Sequence, residues 1–160
     1  MSEIRAMQFV PWGLAAVLLL ATQASGAKEP TRVEFHDDGT VVPKGLPFSE
    51  AVRVGEVLYL SGQIGNEPGT MKLVPGGLGA ETRQAMRNIE AILRAHGYGL
   101  GDVVKCSVML ADMSRWGEFN EAYKASFSDH FPARIAMGVS GLALGAQVEV
   151  ECIAARPGAR

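Results

Sequence analysis

The residues best suited to chemistry are charged side chains on segments rich in β-forming residues. Glu149 and Glu151 alternate with apolar residues near the end of the chain, so both carboxylates point to one face of a predicted strand. Arg134 follows a Phe-Pro-Ala segment at the start of another predicted strand, and its planar guanidinium suits a bidentate contact with a carboxylate. These residues are candidates for carboxylate binding and proton transfer. Ion pairing at a solvent-facing edge is the alternative interpretation.

The other residues that could bind a metal or cofactor, or act as nucleophiles, form no recognisable motif. The histidines His36, His96 and His130 lie far apart in the sequence and share no ligand spacing, so no metal site is predicted. No glycine-rich phosphate loop leads into a helix, no Gly-x-Ser-x-Gly segment occurs, and we expect no cofactor. Cys106 and Cys152 lie inside apolar segments and are expected to be free, buried thiols, although export would allow them to pair.

The elements that must position these residues follow from hydrophobic periodicity and turn residues. Apolar residues at helical spacing predict a helix over residues 80–96, closed by Gly97, and a second helix that Ser114 caps and Pro132 ends. Predicted strands occupy residues 32–35, 52–54, 57–61, 103–110, 134–139 and 147–154. This order predicts an α+β domain with one sheet and two helices. Two helices cover one sheet face, and the strand at 103–110 is apolar on both sides, so we expect other subunits to cover the second face.

Composition restricts the function classes. The chain has 160 residues, of which 48% are hydrophobic and 20% charged, so it can form one buried core. Fifteen basic and 17 acidic residues give a formal charge of −2, which argues against a dedicated nucleic-acid-binding protein. Two cysteines are too few for a disulfide scaffold or a cysteine-rich zinc site.

The N-terminal segment is typical of a secretory signal peptide. Residues 9–24 carry no charge, their apolar run is shorter than the about 20 residues of a membrane-spanning helix, and small residues follow it. Cleavage after Ala27 is preferred over cleavage after Ala24. An uncleaved anchor and a start codon placed too early remain alternatives. We therefore divide the chain into a signal peptide (1–27), an N-terminal extension (28–46), a domain (47–156) and a tail (157–160). This division predicts an exported, periplasmic protein without a stable membrane anchor after cleavage, or a cytoplasmic one if the segment is not a functional signal.

Several collinear motifs resemble the RidA family, also called YjgF/YER057c/UK114. They are PFSEAVRVGEVLYLSGQIG (47–65), ETRQAMRNIEAILRAHGYGLGDVVKCSVMLADM (81–113), FNEAY (119–123), FPAR (131–134) and GAQVEVECIAA (145–155). The resemblance implies a chorismate-mutase-like fold, a six-stranded mixed sheet with two helices on one face, and a homotrimer with clefts between subunits. It also implies hydrolysis of reactive 2-imino and enamino acids, such as 2-aminoacrylate, 2-iminopropanoate and 2-iminobutanoate, to 2-keto acids and ammonia.

The resemblance also assigns roles to individual residues. Arg134 matches the arginine that binds the substrate carboxylate, and Glu149 matches the glutamate that holds and activates the hydrolytic water. Ser61 and Gly62 match a pair that lines the cleft, and Asn120 matches an asparagine near the pocket.

Three positions depart from the family pattern. Phe48 stands where many members have tyrosine, Ile135 where serine or threonine is usual, and Ala136 where cysteine or threonine is common. The resemblance implies that the backbone carbonyl of Ala136 helps to hold the water. The departures predict a more apolar pocket and leave the substrate range open.

Two other function classes compete with the deaminase hypothesis. The same cleft could serve a non-enzymatic trimer that binds carboxylates or acts like a chaperone, which export favours because enzymes that generate such imines are normally cytosolic. Ribonuclease activity or inhibition of translation is the weakest hypothesis, because phosphate binding needs concentrated Lys and Arg. The expected partners are a small carboxylate substrate and further copies of the chain, with no nucleic acid.

Overall fold

Seven strands and two helices form within residues 30–156, the part of the chain that the computed structural model describes. The strands are β1 (Val33–His36), β2 (Ala51–Val54), β3 (Val57–Leu60), β4 (Gln63–Ile64), β5 (Val103–Leu110), β6 (Ala133–Gly138) and β7 (Val148–Ala155). The helices are α1 (Gly77–Ala95) and α2 (Trp116–Lys124). Neither helix is long and apolar enough to cross a membrane. The segment interpreted as a signal peptide lies outside the described residues.

The strands form one mixed sheet in the order β1-β2-β3-β7-β5-β6, with β4 paired to β7. All pairs are antiparallel except β5 and β6, which α2 connects as a crossover. The α+β class, the two helices and the mixed sheet are confirmed. Six strands were predicted, and the two-residue β4, within a segment interpreted as turn, adds a seventh.

The core lies between the helices and one face of the sheet. The predicted apolar face of α1 is fully buried, and so are the alternate residues of β7 that point toward it. The buried residues of these two elements include Met86, Ile89, Ile92, Leu93, Val148, Val150, Cys152 and Ala154. The alternation in β7 fixes which of its side chains face the helices and which face away.

The opposite face of the sheet exposes large apolar side chains. The strand registers place Phe35, Tyr59, Ile135 and Met137 on this face, where they are 73%, 46%, 50% and 40% exposed. We call this surface the open face. An apolar surface of this kind is typical of an interaction site. The expectation that other subunits cover it stays a prediction.

Two predicted helix boundaries are wrong. The side chain of Asp112, and not that of Ser114, makes the capping contact before α2: its carboxylate accepts hydrogen bonds from the Ser114 backbone N–H (2.9 Å) and hydroxyl (2.7 Å). Helix α2 also ends at Lys124, well before Pro132. The C-terminal signal of α1 is confirmed, because Gly97 has φ 79°, a value that favours glycine.

The expectation of two free thiols is also wrong, because Cys106 and Cys152 form a disulfide. The two residues are direct partners in the β5–β7 ladder, with Cα atoms 4.1 Å apart. Burial of both side chains was predicted and is confirmed. The pairing depends on the register between two strands that lie 46 residues apart, which the periodicity of each strand does not specify.

The disulfide should contribute measurably to stability. We expect reduction of the purified chain, or its replacement by Cys106→Ala/Cys152→Ala, to lower the free energy of unfolding by about 2–4 kcal/mol. Chemical denaturation with and without dithiothreitol measures this loss. The double variant is the control, because the reductant should leave its unfolding midpoint unchanged. Full alkylation of both cysteines in denaturant without reductant would contradict the pairing.

Candidate active site

Glu149 is the second residue of β7, and its side chain lies on the open face of the sheet. Its neighbours in the ladder are Ile64 of β4 and Met109 of β5. The side chain is partly buried, and this desolvation raises the pKa of the Glu149 carboxyl above its ordinary value, with a further contribution from the negative charge of Glu151. A carboxylate with a raised pKa takes up a proton more readily than an ordinary surface glutamate. Glu149 is therefore suited to act as a general base.

Gly62 makes room for this carboxylate. A Cβ atom at position 62 would lie only 2.8 Å from Cδ of Glu149, which is far inside van der Waals contact. Since the contact involves a charged group in a partly closed cavity, any side chain at Gly62 would force the carboxylate away. Gly62 was predicted to line the cleft. In the structure, its backbone packs closely against the carboxylate of Glu149.

Gly62 and Glu149 line a cavity of about 160 Å³, here called the Glu149 cavity. Phe48, which is 46% exposed, also lines it. Its remaining walls are mainly apolar and come from Val42, Gln63, Ile64, Asn66, Met71 and Ala143. Sequence reasoning did not single out these six residues. They come from separate loops and strands, and only Gln63 and Ile64 lie within one of the family-like motifs.

The Ser61 hydroxyl holds the backbone beside the cavity. It donates a 2.6 Å hydrogen bond to the carbonyl oxygen of Ser49, while the Ser61 N–H donates to the carbonyl oxygen of Glu50 at 3.1 Å. These bonds tie the end of β3 to the segment that carries Phe48. Ser61 does not line the Glu149 cavity, so in this chain its hydroxyl acts on the position of its neighbours.

A buried amide network supports the loop that forms the cavity wall. The Asn88 side chain on α1 donates to the carbonyl oxygens of Ile64 (3.2 Å) and Asn66 (3.0 Å). The Asn66 side chain in turn donates to the carbonyl oxygen of Thr70 at 3.0 Å, and Gln84 donates to Asn88 at 2.8 Å. Because these groups are buried, each bond lost would leave an unsatisfied polar atom. The network therefore fixes the loop after β4 against helix α1.

Arg134 lies on the helix-facing side of the edge strand β6. Its register partner is Cys106, a residue of the buried face. The guanidinium lies over two aromatic rings of α2, with its central carbon 5.4 Å from the centroid of Phe119 and 4.8 Å from that of Tyr123. Within residues 30–156, no carboxylate forms a salt bridge with Arg134. The arginine is thus held by stacking, and its charge is available to a ligand.

The Arg134 cleft, of about 460 Å³, also contains Asn120 and Tyr123, and is completed by Lys124, Phe131 and Pro132. Asn120 Oδ1 and the Tyr123 hydroxyl are buried and find no hydrogen-bond partner among the described residues. Burial also raises the pKa of Tyr123 to about 12, so the phenol stays protonated and can donate. Buried polar atoms without partners are uncommon in folded proteins, and they mark this cleft as a place for a ligand or a further chain.

The other two family departures lie on opposite sides of β6. Ala136 is paired with Val108 and shares the helix-facing side with Arg134, whereas Ile135 is paired with Ser107 and belongs to the open face. Ile135 therefore points away from the Arg134 cleft.

The predicted site residues fall into two separate groups within one chain. Phe48, Gly62 and Glu149 meet at the Glu149 cavity, whereas Asn120 and Arg134 meet in the Arg134 cleft. The β5–β6 and β5–β7 registers put Arg134 and Glu149 on opposite faces of the sheet. Neither lining brings together three potential metal ligands.

Comparisons with known proteins agree with the motifs. Residues 42–156 match the family model described as endoribonuclease L-PSP. The chain is 46% identical over 108 residues to a 2-iminobutanoate/2-iminopropanoate deaminase from Mus musculus, covering 68% of this chain and 80% of the relative. Among solved structures it is similar to RidA from an Antarctic Psychrobacter (39% identity, TM-score 0.71, 77% of this chain and 99% of that chain). It is also similar to TdcF from E. coli with bound serine (28% identity, TM-score 0.71, 78% and 99%).

The position of Glu149 predicts how its pKa responds to its neighbour. Since Glu151 contributes to the raised pKa, we expect Glu151→Gln to lower the pKa of Glu149, while burial keeps it above the ordinary value. An NMR pH titration of the Glu149 side-chain carboxyl measures both effects. Glu121→Gln, on α2 and paired with Lys124, is the control and should leave the Glu149 titration unchanged. A Glu149 pKa at or below that of an unstructured glutamate would contradict the desolvation.

Proposed function

The chain belongs to the RidA (YjgF/YER057c/UK114) family, and we propose that it hydrolyses reactive 2-imino and enamino acids to 2-keto acids and ammonia. The proposal rests above all on a partly buried glutamate of raised pKa packed against Gly62. Two further points support it: the Arg134 guanidinium, which forms no salt bridge with any described carboxylate, and the deaminase names of relatives such as the one from Mus musculus. The substrate class is 2-aminoacrylate, 2-iminopropanoate, 2-iminobutanoate and similar small acids.

Arg134 binds the substrate carboxylate in this proposal. Its guanidinium offers parallel N–H donors that fit two carboxylate oxygens, and the rings of Phe119 and Tyr123 hold it in place. The Tyr123 hydroxyl and Asn120 Oδ1, which have no hydrogen-bond partner among the described residues, lie in the same cleft and supply further polar contacts. The serine bound to TdcF from E. coli, an amino acid with a carboxylate of its own, is compatible with this substrate class.

Glu149 acts as the general base. Water attacks the C2 carbon of the protonated imine while the Glu149 carboxylate takes a proton from it, which gives a tetrahedral carbinolamine. The protonated Glu149 then gives this proton to the carbinolamine nitrogen, and the C–N bond breaks while the carboxylate takes the proton of the hydroxyl group. The 2-keto acid and ammonia form, and Glu149 passes the proton to the departing ammonia. One water is consumed for each ammonia released, and no cofactor takes part. The backbone carbonyl of Ala136 is proposed to hold the water, as the resemblance implies.

A complete site requires a second copy of the chain. Arg134 and Glu149 lie on opposite faces of one sheet, so a small substrate cannot contact both within the same chain. We propose a homotrimer in which the open face is buried between subunits and the Arg134 cleft of one subunit meets the Glu149 cavity of its neighbour. The exposed apolar residues Phe35, Tyr59, Ile135 and Met137 support this assembly.

Phe48 makes the proposed pocket less polar than a tyrosine would. It lines the Glu149 cavity with Met71 and Ala143, and a phenyl ring offers no hydroxyl to the substrate. We therefore propose a preference for imino acids with apolar side chains.

The alternative functions remain distinguishable from this proposal. A trimer that binds 2-keto acids without turnover would favour the non-enzymatic hypothesis. The family description carries the name endoribonuclease, and salt-sensitive binding and cleavage of RNA would favour that activity. Export of the mature chain to the periplasm remains a proposal that rests on the N-terminal segment alone, and cell fractionation tests it.

Substitutions of Arg134 test the role assigned to its guanidinium. We expect Arg134→Lys to lower kcat/KM by about 10–100-fold, because it keeps the charge but loses the bidentate contact, and Arg134→Ala to lower it further. The assay follows keto acid release from 2-iminobutanoate generated in situ, above the uncatalysed rate. Lys124→Ala, which removes a neighbouring cation from the same cleft, is the matched control and should have a small effect. Wild-type kcat/KM in Arg134→Ala would contradict the assignment.

The raised pKa of Glu149 predicts how kcat/KM depends on pH. Since only the carboxylate form of Glu149 accepts a proton, kcat/KM should fall as the pH drops through the raised pKa, at a higher pH than an ordinary glutamate would give. Glu149→Gln should lower kcat by about 10²–10⁴-fold and remove this acid limb. Glu151→Gln should retain activity and move the limb to lower pH. An acid limb that persists in Glu149→Gln would assign it to another group.

A further inference from the structure

Two of the three histidines of the chain come together outside the Glu149 cavity and the Arg134 cleft. His36 ends strand β1 and His96 follows the last residue of helix α1, and their rings stack with centroids 4.2 Å apart. His36 points to the helix-facing side of the sheet, since its register partner is the buried Ala51. These histidines are far apart in the sequence. The pairing of β1 with β2 brings His36 next to His96 at the end of α1.

Asp38 completes a group of three potential metal ligands. Its Oδ2 atom lies 3.5 Å from Nε2 of His96 and 3.9 Å from Nδ1 of His36. One ligand atom from each of the three residues lies within 4.8 Å of the others. Around a tetrahedral metal with bonds of about 2.0–2.2 Å, ligand atoms are about 3.3–3.6 Å apart. Small side-chain rotations would bring the three groups to that spacing.

One nitrogen of each histidine ring makes no hydrogen bond within the described part of the chain. Nε2 of His36 and Nε2 of His96 are both buried and make no hydrogen bond to any described residue. Buried polar atoms are normally hydrogen-bonded, so the unbonded Nε2 of His96 is available to a metal, which His36 would bind through Nδ1, the nitrogen nearer Asp38.

The surrounding charges are mixed but favour a cation. Glu34 Oε2 lies 3.7 Å from Nε2 of His36, the ring nitrogen that does not face Asp38, and Glu34 also pairs with Arg32 at 3.0 Å. The Arg53 guanidinium donates to the carbonyl oxygen of His96 at 2.8 Å and opposes a second positive charge. Glu50 lies nearby as well, but its carboxylate accepts hydrogen bonds from the backbone N–H groups of residues 40–42. Asp38, Glu34 and Glu50 together outnumber the two cations Arg32 and Arg53.

We propose that His36, Asp38 and His96 form a binding site for a divalent transition metal of the zinc type. Two imidazoles and one carboxylate are a donor set that suits zinc, and water would complete the coordination. None of the three ligands lines the Glu149 cavity or the Arg134 cleft, so the site is separate from the proposed catalysis. His36 and Asp38 also precede residues 42–156, which match the family model. The metal would join the first strand to the end of α1 and stabilise the N-terminal part of the domain.

Zinc titration of the tag-free full chain tests this site. Isothermal titration calorimetry should give one zinc per chain, and Co²⁺ should give the visible absorption bands of a tetrahedral site with nitrogen and oxygen ligands. His36→Ala and His96→Ala should each weaken zinc binding at least tenfold and abolish the increase in Tm that zinc causes. His130→Ala removes the third histidine, which is exposed and elsewhere in the fold, and should bind zinc like the wild type.

The exposed Asp38 gives a variant that leaves the core intact. Asp38→Asn should fold normally and weaken zinc binding about tenfold, which separates ligand loss from misfolding at the buried histidines. Absence of zinc binding to the wild type would overturn the proposal. Equal affinities in the wild type, His36→Ala and His96→Ala would overturn it as well, whatever their deaminase activities are.

Discussion

The register of β7 against β5 is the constraint on which both candidate half-sites depend. Val148, Val150 and Cys152 are buried under the helices, so Glu149 must face the other way. The parallel register of β5 and β6 then turns Arg134 toward the helices. A slip of one residue in either pair would reverse these directions. The hydrophobic pattern of the core therefore determines on which face of the sheet each charged side chain lies.

The same alternation connects packing with chemistry. Glu149 occupies a partly desolvated position on the open face, where Gly62 leaves space for its carboxylate and burial raises its pKa. Arg134 occupies an edge position where aromatic rings hold it without a salt bridge from the described residues. In the proposed reaction, each group supplies one half of the site. Association through the apolar open face would complete both half-sites while it buries the exposed hydrophobic residues.

Periodicity predicted the features that depend on local sequence. The apolar face of α1, the extent of β5 and the direction of Glu149 in β7 follow from spacings of three to four or of two residues, and all three are confirmed. Features that depend on contacts between distant segments were missed. The Cys106–Cys152 disulfide requires the register of two strands, and the His36–His96 contact requires the position of β1 relative to the end of α1. The cavity walls at Met71 and Ala143 likewise come from loops whose sequence carries no chemical signal.

Complementation between two inactive variants tests the composite site most directly. Arg134→Ala and Glu149→Gln chains, each inactive alone, would be denatured, mixed in equal amounts and refolded together. If each site takes Arg134 from one subunit of a trimer and Glu149 from its neighbour, random mixing restores about one quarter of the wild-type activity. Denaturing and refolding each variant separately controls for recovery. If the mixture stays as inactive as its components, while wild-type protein refolded in the same way regains its activity, the two residues do not act together across a subunit boundary.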